Sequence, residues 1–417
     1  MEHDETLVVH SIGQLVTLDA ARGDMLGIVP NATLVARGGV ITDILGEGEG
    51  IDWDALPHDV TEIDANGAAV VPGFVDCHTH LAWLGNRREE YLQRAHGASY
   101  EEIAAAGGGI RATIEHTGRG TPEKIAHAMA GRLATMLASG TTTVEVKSGY
   151  GGTLEGEEKQ LQAVRLVMED SDRLQPECIA TFLPLHGAVP DPGERSQWIH
   201  EVITEGLPRM RKHATFVDVF CEEGAFSPEE CMDVLGKANE QGYHCKVHAE
   251  QRTHSGGSMV AAYCHATSAD HLDHATGRDA EALRASGVVG VLLPGASLIL
   301  DGPPPPGRML MEHGLEIALA TDCNPGTCYA ESMPLMMSLA VAYAGLTPEA
   351  ALRAATLGGA HALRLQDRGM IAPGMRADIL VLSASSWIDL GYHMGASLVQ
   401  LIVQNGRIIP RGLTHVI

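Results

Sequence analysis

The sequence is short of positive charge: Lys and Arg number 29 against 53 Asp and Glu, a formal net charge of −24 over 417 residues. So acidic a surface repels phosphate backbones and anionic lipid, which argues against nucleic-acid partners and against a membrane-surface role. It repels small anions as well, so an anionic substrate needs a locally placed cation. No C-x-x-C pair occurs among the eight cysteines, and the opening Met1-Glu2-His3-Asp4-Glu5 is acidic where a signal peptide is basic. Reduced thiols in a soluble, cytoplasmic protein are the simpler expectation. The weakly polar stretches at 287–300 and 333–346 are too short for a spanning helix and contain Gly or Pro. There is no internal repeat, and no glycine-rich dinucleotide fingerprint follows any candidate strand. Against these absences stand a 45% hydrophobic content, enough for a sizeable core, and 21 histidines, more than folding alone requires.

Both chain ends read as short strands. Leu7–Val9, Leu15–Leu18, Thr33–Ala36 and Val40–Leu45 are β-rich, with the Gly38-Gly39 turn between the last two. Ala377–Leu382, Leu398–Val403 and Ile408-Ile409 around the Asn405-Gly406 turn look alike. Neither end makes a comfortable sheet alone, so one small β-sandwich-like domain from residues 1–68 plus 373–417 is expected. Between them, eight apolar runs start at 69, 142, 178, 216, 244, 268, 288 and 316. Helix starts lie among them: Thr121-Pro122-Glu123, Ser227-Pro228-Glu229 and Thr347-Pro348-Glu349 each offer a capping hydroxyl, an N1 proline and a first-turn acid. Eight strands alternating with helices over about 300 residues predict a (β/α)8 TIM-type barrel across 69–372, an α/β fold.

Barrel enzymes place their active sites at the C-terminal strand ends. Here the first run ends in Asp76-Cys77-His78-Thr79-His80, the fifth in His248-Ala249-Glu250-Gln251, the sixth in Asp270-His271 and the eighth in Thr321-Asp322. Two residues apart on a strand, the imidazoles of His78 and His80 point to one side and can share a metal ion. One such histidine is usually an ordinary hydrogen-bonded residue; four, with an aspartate, on four strand ends point to a site. Three neutral imidazoles and a carboxylate suit Zn²⁺ or a similar transition ion, which acidifies water. A neighbouring carboxylate can move the proton to a leaving nitrogen while another histidine steadies an oxyanion, which describes hydrolysis of an amide-like bond.

Several strings sharpen this reading. They are Val71-Pro72-Gly73-Phe74-Val75-Asp76 before the histidine pair, Gly97-Ala98-Ser99-Tyr100-Glu101-Glu102-Ile103, Val144-Glu145-Val146-Lys147-Ser148-Gly149-Tyr150-Gly151, Ser268–Leu272, Ala320–Gly326 and the Gly369–Ile379 tail. The chain resembles the amidohydrolase superfamily over nearly its whole length. The Val144–Gly151 string resembles, within it, the imidazolonepropionase family of histidine catabolism, hydrolases that open the cyclic amide of 4-imidazolone-5-propanoate to N-formimidoyl-L-glutamate. The resemblance implies one Zn²⁺ or iron ion per chain on His78, His80, His248 and Asp322. It implies Asp322, His271 and Gln251 as catalytic residues, and Arg87, Tyr150, His186, Gln251, Asn324, Gly326 and Thr327 as contacts to a small anionic heterocyclic substrate. Arg87 is then the local cation that the acidic surface requires. Arg88 competes for that role on sequence alone.

Dinuclear relatives carry a carboxylated lysine at the end of the fourth strand. The fourth run here ends in Cys221-Glu222-Glu223, and Lys147 follows the second, so a mononuclear site is expected. Cys77 and Cys323, beside ligand positions, are expected to be packed, inert thiols. The segment 97–109 with its Gly107–Gly109 triplet is expected to form a loop over the barrel mouth. The Met-rich 333–337 region suggests core or interface packing, and a homodimer is expected. Two rivals remain: an aminohydrolase deaminating another heterocycle, which needs no carboxylate clamp, and a non-catalytic metal-binding barrel.

Overall fold

The computed structural model describes residues 5–56, 60–98, 102–103, 106–170, 174–187 and 192–410. Five strands precede Gly73: β1 (Thr6–Val16), β2 (Ile28–Arg37), β3 (Val40–Leu45), β4 (Val60–Asp64) and β5 (Ala69–Pro72). Eight more follow: β6 (Phe74–Asp76), β7 (Thr141–Lys147), β8 (Glu177–Leu185), β9 (Phe216–Cys221), β10 (His244–Ala249), β11 (Ser268–His271), β12 (Val289–Leu292) and β13 (Ile317–Leu319). β14 (Ile379–Leu382), β15 (Val399–Gln404) and β16 (Arg407–Ile409) end the series.

β6 to β13 pair in sequence order, all parallel, with helices between successive strands. This is the expected barrel. Its seam lies just beyond the strand ends, where the Asp322 N–H donates to His78 O (3.0 Å) and the His80 N–H donates to Cys323 O (3.0 Å). Thr321 adds two bonds to the Asp76 carboxylate, from its N–H (3.1 Å) and its hydroxyl (2.6 Å). Three helices begin where the sequence placed them: Thr121, Ser227 and Thr347 each accept an N–H of the first turn, ahead of Pro122–Ala138, Pro228–Glu240 and Pro348–Arg353. Met333, Met336 and Met337, on the helix Met333–Ala342, are buried in the main core.

The other eight strands form one mixed sheet from both chain ends, in the order β16-β15-β14-β5-β1-β2-β3, with β4 also on β1. Residues 69–77, expected as one barrel strand, are two. Ala69–Pro72 pairs with β14 and β1, and only Phe74–Asp76 joins β7. The chain changes sheets at Gly73, where a Cβ would lie 2.4 Å from Thr142 Oγ1. Both halves are buried on every face, so hydrophobic periodicity carries no mark of the break. Alternation in this sheet joins the two units: Ala69, Val71, Leu380 and Leu382 enter the core shared with the barrel, while Val70, Ile379 and Val381 enter the sheet's own core. Gln404 Nε2 spans the junction to Thr142 O (2.9 Å) and Gln175 O (3.1 Å). Among the described residues, no helix is long and apolar enough to cross a membrane.

Gly358 and Gly359 press against the barrel wall. A Cβ on the first would lie 2.2 Å from Ile317 O, and on the second 2.3 Å from Val75 O. Backbone cannot yield as a flexible side chain does, so Gly359→Ala is expected to destabilise the fold by about 1–3 kcal/mol. A lowered denaturant midpoint with unchanged slope checks this, and an unchanged midpoint refutes it.

Candidate active site

Four ligand-type atoms converge at the barrel mouth. Nε2 of His78 and Nε2 of His80 stand 3.6 and 3.5 Å from Asp322 Oδ1, and His80 Nε2 is 3.4 Å from His248 Nε2. An ion bonded at about 2.0–2.1 Å to four ligands in a tetrahedron separates those ligands by about 3.3–3.4 Å, so these three spacings fit; His248 joins the others through His80 and also groups with His78 and His271. His78 Nε2 is buried with no hydrogen-bond partner among the described residues. Burial, then the Lys147 charge, holds the His78 imidazole well below its usual basicity; burial, then His186, does so for His80. Both rings are therefore neutral, with a lone pair to give. Burial pushes the Asp322 carboxyl well above the usual carboxylate range, and a bound cation acts in the opposite direction.

A charged layer, in which the sequence reading assigned no residue a role, lies beneath these atoms. His78 Nδ1 meets Asp270 Oδ2 at 2.6 Å, and His248 Nδ1 meets Asp218 Oδ1 at 3.2 Å. A carboxylate only accepts, so each keeps a proton on Nδ1 and leaves the Nε2 lone pair facing the site. Lys147 Nζ bonds Glu145 Oε1 (2.6 Å) and Asp218 Oδ2 (2.7 Å), and Lys246 Nζ donates to Cys77 O (2.9 Å). Burial opposes the Lys147 charge, but Asp218, Glu145 and Asp270 outweigh it and hold its pKa above that of an ordinary lysine. The signal was present as charged residues inside apolar runs: Glu145-x-Lys147, Asp218 and Lys246-x-His248.

His271 ends β11 with its ring centroid 5.5 Å from that of His78 and 5.3 Å from that of His248. Burial, then His248, keeps it neutral, and its Nδ1 has no partner among the described residues. Its φ of 84° and the 51° of Asp322 are left-handed values uncommon outside glycine, gathered at the mouth.

One wall is aromatic. The His186 ring stacks on His80 at 4.9 Å and 12°, with Tyr150 5.9 Å from His80 and 5.6 Å from His186. His186 Nδ1 bonds Gly149 O (3.0 Å), and burial, then His248, pushes its pKa down to about 4. The helix Leu154–Glu169 fixes the loop carrying Tyr150. Glu157 accepts the N–H groups of Gly149 and Gly151, both at 2.7 Å, and Gln160 Oε1 accepts that of Tyr150 at 2.9 Å. A Cβ on Gly151 would lie 2.1 Å from Glu157 N, which explains a glycine there.

Arg87 and Gly326 meet: a Cβ on Gly326 would lie 1.9 Å from Arg87 Nη1. The Nε and Nη2 of Arg87 bond Glu90 Oε2 at 2.7 and 2.6 Å, whereas Arg88 is exposed, its Nε on Asn86. The Asn324 amide is engaged within its own loop: Nδ2 donates to Asp322 O (2.6 Å) and Thr327 Oγ1 (2.7 Å), and Oδ1 accepts the N–H groups of Gly326 and Thr327. Thr327 Oγ1 lies 3.5 Å from Asp322 Oδ2. Gln251, half-buried two residues past β10, makes no side-chain hydrogen bond among the described residues. Ser99, Tyr100 and Glu101, with Ala104 and Ala105 in the expected mouth loop, lie outside the described residues. Cys77 and Cys323 are fully buried, and burial raises both thiols, so they are packed rather than reactive.

The amidohydrolase family profile matches residues 69–406. An imidazolonepropionase of Deinococcus deserti is 44% identical over 345 residues, covering 82% of this chain and 84% of that protein. One of Symbiobacterium thermophilum is 38% identical over 414 residues, 97% of each. Among solved structures, a 5-methylcytosine deaminase from Klebsiella pneumoniae superposes with a TM-score of 0.74 at 18% identity over 98% of each chain. A triazine hydrolase variant gives 0.75 at 16% identity over 97% of this chain and 94% of that one; both show the fold alone.

Proposed function

Because the chain belongs to the amidohydrolase family, and within it to the imidazolonepropionases, we propose that His78, His80, His248 and Asp322 hold a single Zn²⁺ or iron ion. The enzyme is a hydrolase of the cyclic amide C–N bond, converting 4-imidazolone-5-propanoate to N-formimidoyl-L-glutamate. The observation that carries the site assignment is Asp322 Oδ1 at 3.6 and 3.5 Å from Nε2 of His78 and His80, with His248 Nε2 3.4 Å from that of His80. When bound, the ion supplies a nucleophile from water at neutral pH.

The chain's own residues do the rest. Asp322 takes the proton of the attacking water on its carboxylate and returns it to the departing ring nitrogen. His271, neutral in its buried setting, gives an N–H to the carbonyl oxygen as charge gathers there. Tyr150 and His186 form the wall against which the flat ring lies. Arg87, whose guanidinium is seated against Gly326 where any side chain would displace it, takes the propanoate carboxylate. Gln251 reaches the ring from the β10 loop, and Asn324 and Thr327 hold the loop that carries Asp322 in register. A cytoplasmic homodimer belongs to the same proposal. Exposed Ile388 and Tyr392, at the helix Asp389–Tyr392 that packs on Met333–Ala342, support the dimer.

The test is direct. 4-Imidazolone-5-propanoate is generated from urocanate in situ, and loss of its ultraviolet band is followed with and without a chelator. Chelator-sensitive loss with formimidoyl-glutamate as product is expected; no loss with metal bound overturns the assignment. After metal stripping, activity is expected to return in proportion to the first equivalent of ion per chain. Activity that tracks a second equivalent instead refutes the mononuclear site.

A further inference from the structure

Two of the proposed ligands stand on different strands yet lead to one buried charge. Asp218 joins His248 (3.2 Å) to Lys147 Nζ (2.7 Å), and Asp270 joins His78 (2.6 Å) to the same ammonium (3.9 Å). Glu145 completes the cage at 2.6 Å, and the side chains of Lys147, Glu145, Asp218 and Asp270 have no exposed surface. Three carboxylates this close repel one another strongly in a dry interior unless a cation stands between them. Lys246 shares Asp270, at 3.6 Å, but it is bonded to Cys77 O and makes no ion pair with Asp218 among the described residues, so only Lys147 faces all three carboxylates.

We infer that Lys147 is the positioning residue of the metal site. Its ammonium bonds Asp218 and, with Lys246, balances the charge of Asp270, and each aspartate in turn keeps its histidine in the Nδ1–H tautomer with Nε2 turned to the ion. The inference rests on the ligand set proposed above. It gives Lys147 a task unrelated to the carboxylated lysine of dinuclear relatives: it is the resident cation beneath the ligands. Without it the aspartates swing apart, the Nδ1–H hold is lost, and both rings change tautomer or rotate.

The test is Lys147→Met, read by the ¹⁵N-histidine spectrum of the metal-free protein and by the Zn²⁺ dissociation constant from chelator competition. Zn²⁺ binding is expected to weaken about 10–100-fold, the range seen when outer partners of ligands are removed. The His78 and His248 signals are expected to leave the Nδ1–H pattern while thermal unfolding stays cooperative. Where that variant does not fold, Glu145→Gln/Lys147→Met, which removes one charge of each sign, carries the same two readouts. A lysine that merely stabilises the barrel lowers the unfolding midpoint and leaves tautomers and affinity unchanged; that result overturns the inference. His248→Ala separates the two levels: wild-type Zn²⁺ affinity there refutes the ligand set itself, whereas lost affinity there with unchanged affinity in Lys147→Met refutes only the role of Lys147.

Discussion

Asp322→Asn is expected to lower kcat about 10²–10⁴-fold, the range of a lost general acid–base group. The asparagine keeps the shape and an oxygen toward His78 and His80 but cannot carry the proton between water and leaving nitrogen. The backbone of the position is untouched, so the seam bond from its N–H to His78 O survives and the fold should hold. The measurement is kcat per bound ion, with metal content determined on the same sample, because a weakened ligand also lowers occupancy. A kcat per ion near that of the wild type removes Asp322 from proton transfer and leaves it a ligand only.

Arg87→Met should act on binding instead. Hydrogen bonds to charged groups contribute roughly 1.5–3 kcal/mol each, so loss of a two-pronged carboxylate contact is expected to cost about a hundredfold or more in kcat/KM. The loss should fall chiefly on KM, because the carboxylate is held alike in ground and transition states. Arg88→Met, altering an exposed side chain tied to Asn86, is the matched control and should change little. Equal effects of the two substitutions would show general charge attraction rather than a seat beside Gly326.

The barrel was legible because its strands are largely apolar and β-branched-rich and its helices carry their caps in plain sequence, as at Ser227 with Glu230. The strand-end histidines were legible because polar residues there have no packing reason to exist. The break at Gly73 was not, since two sheets bury the same kind of residue on either side of it. The charged floor escaped for a related reason. Asp218 lies between Val217 and Val219 and was absorbed into an apolar run, though a buried carboxylate always implies a partner. Asn324 shows another limit: the resemblance implies a substrate contact, and that its amide groups also bind its own loop is visible only in coordinates. Arg87 and Arg88 were separated by direction, which neighbouring positions in a sequence do not encode.

The seam has a consequence for the order in which the molecule is made. His78 and His80 follow the first barrel strand and Asp322 follows the last, so the bonds that shut the barrel join residues more than 240 positions apart. Closing so long a loop is entropically slow and comes after the local strand–helix units have formed. The nascent chain therefore carries two of the proposed ligands for most of its synthesis without Asp322. A chain stalled before β13 therefore lacks Asp322 and has only part of the proposed site in which to trap a metal.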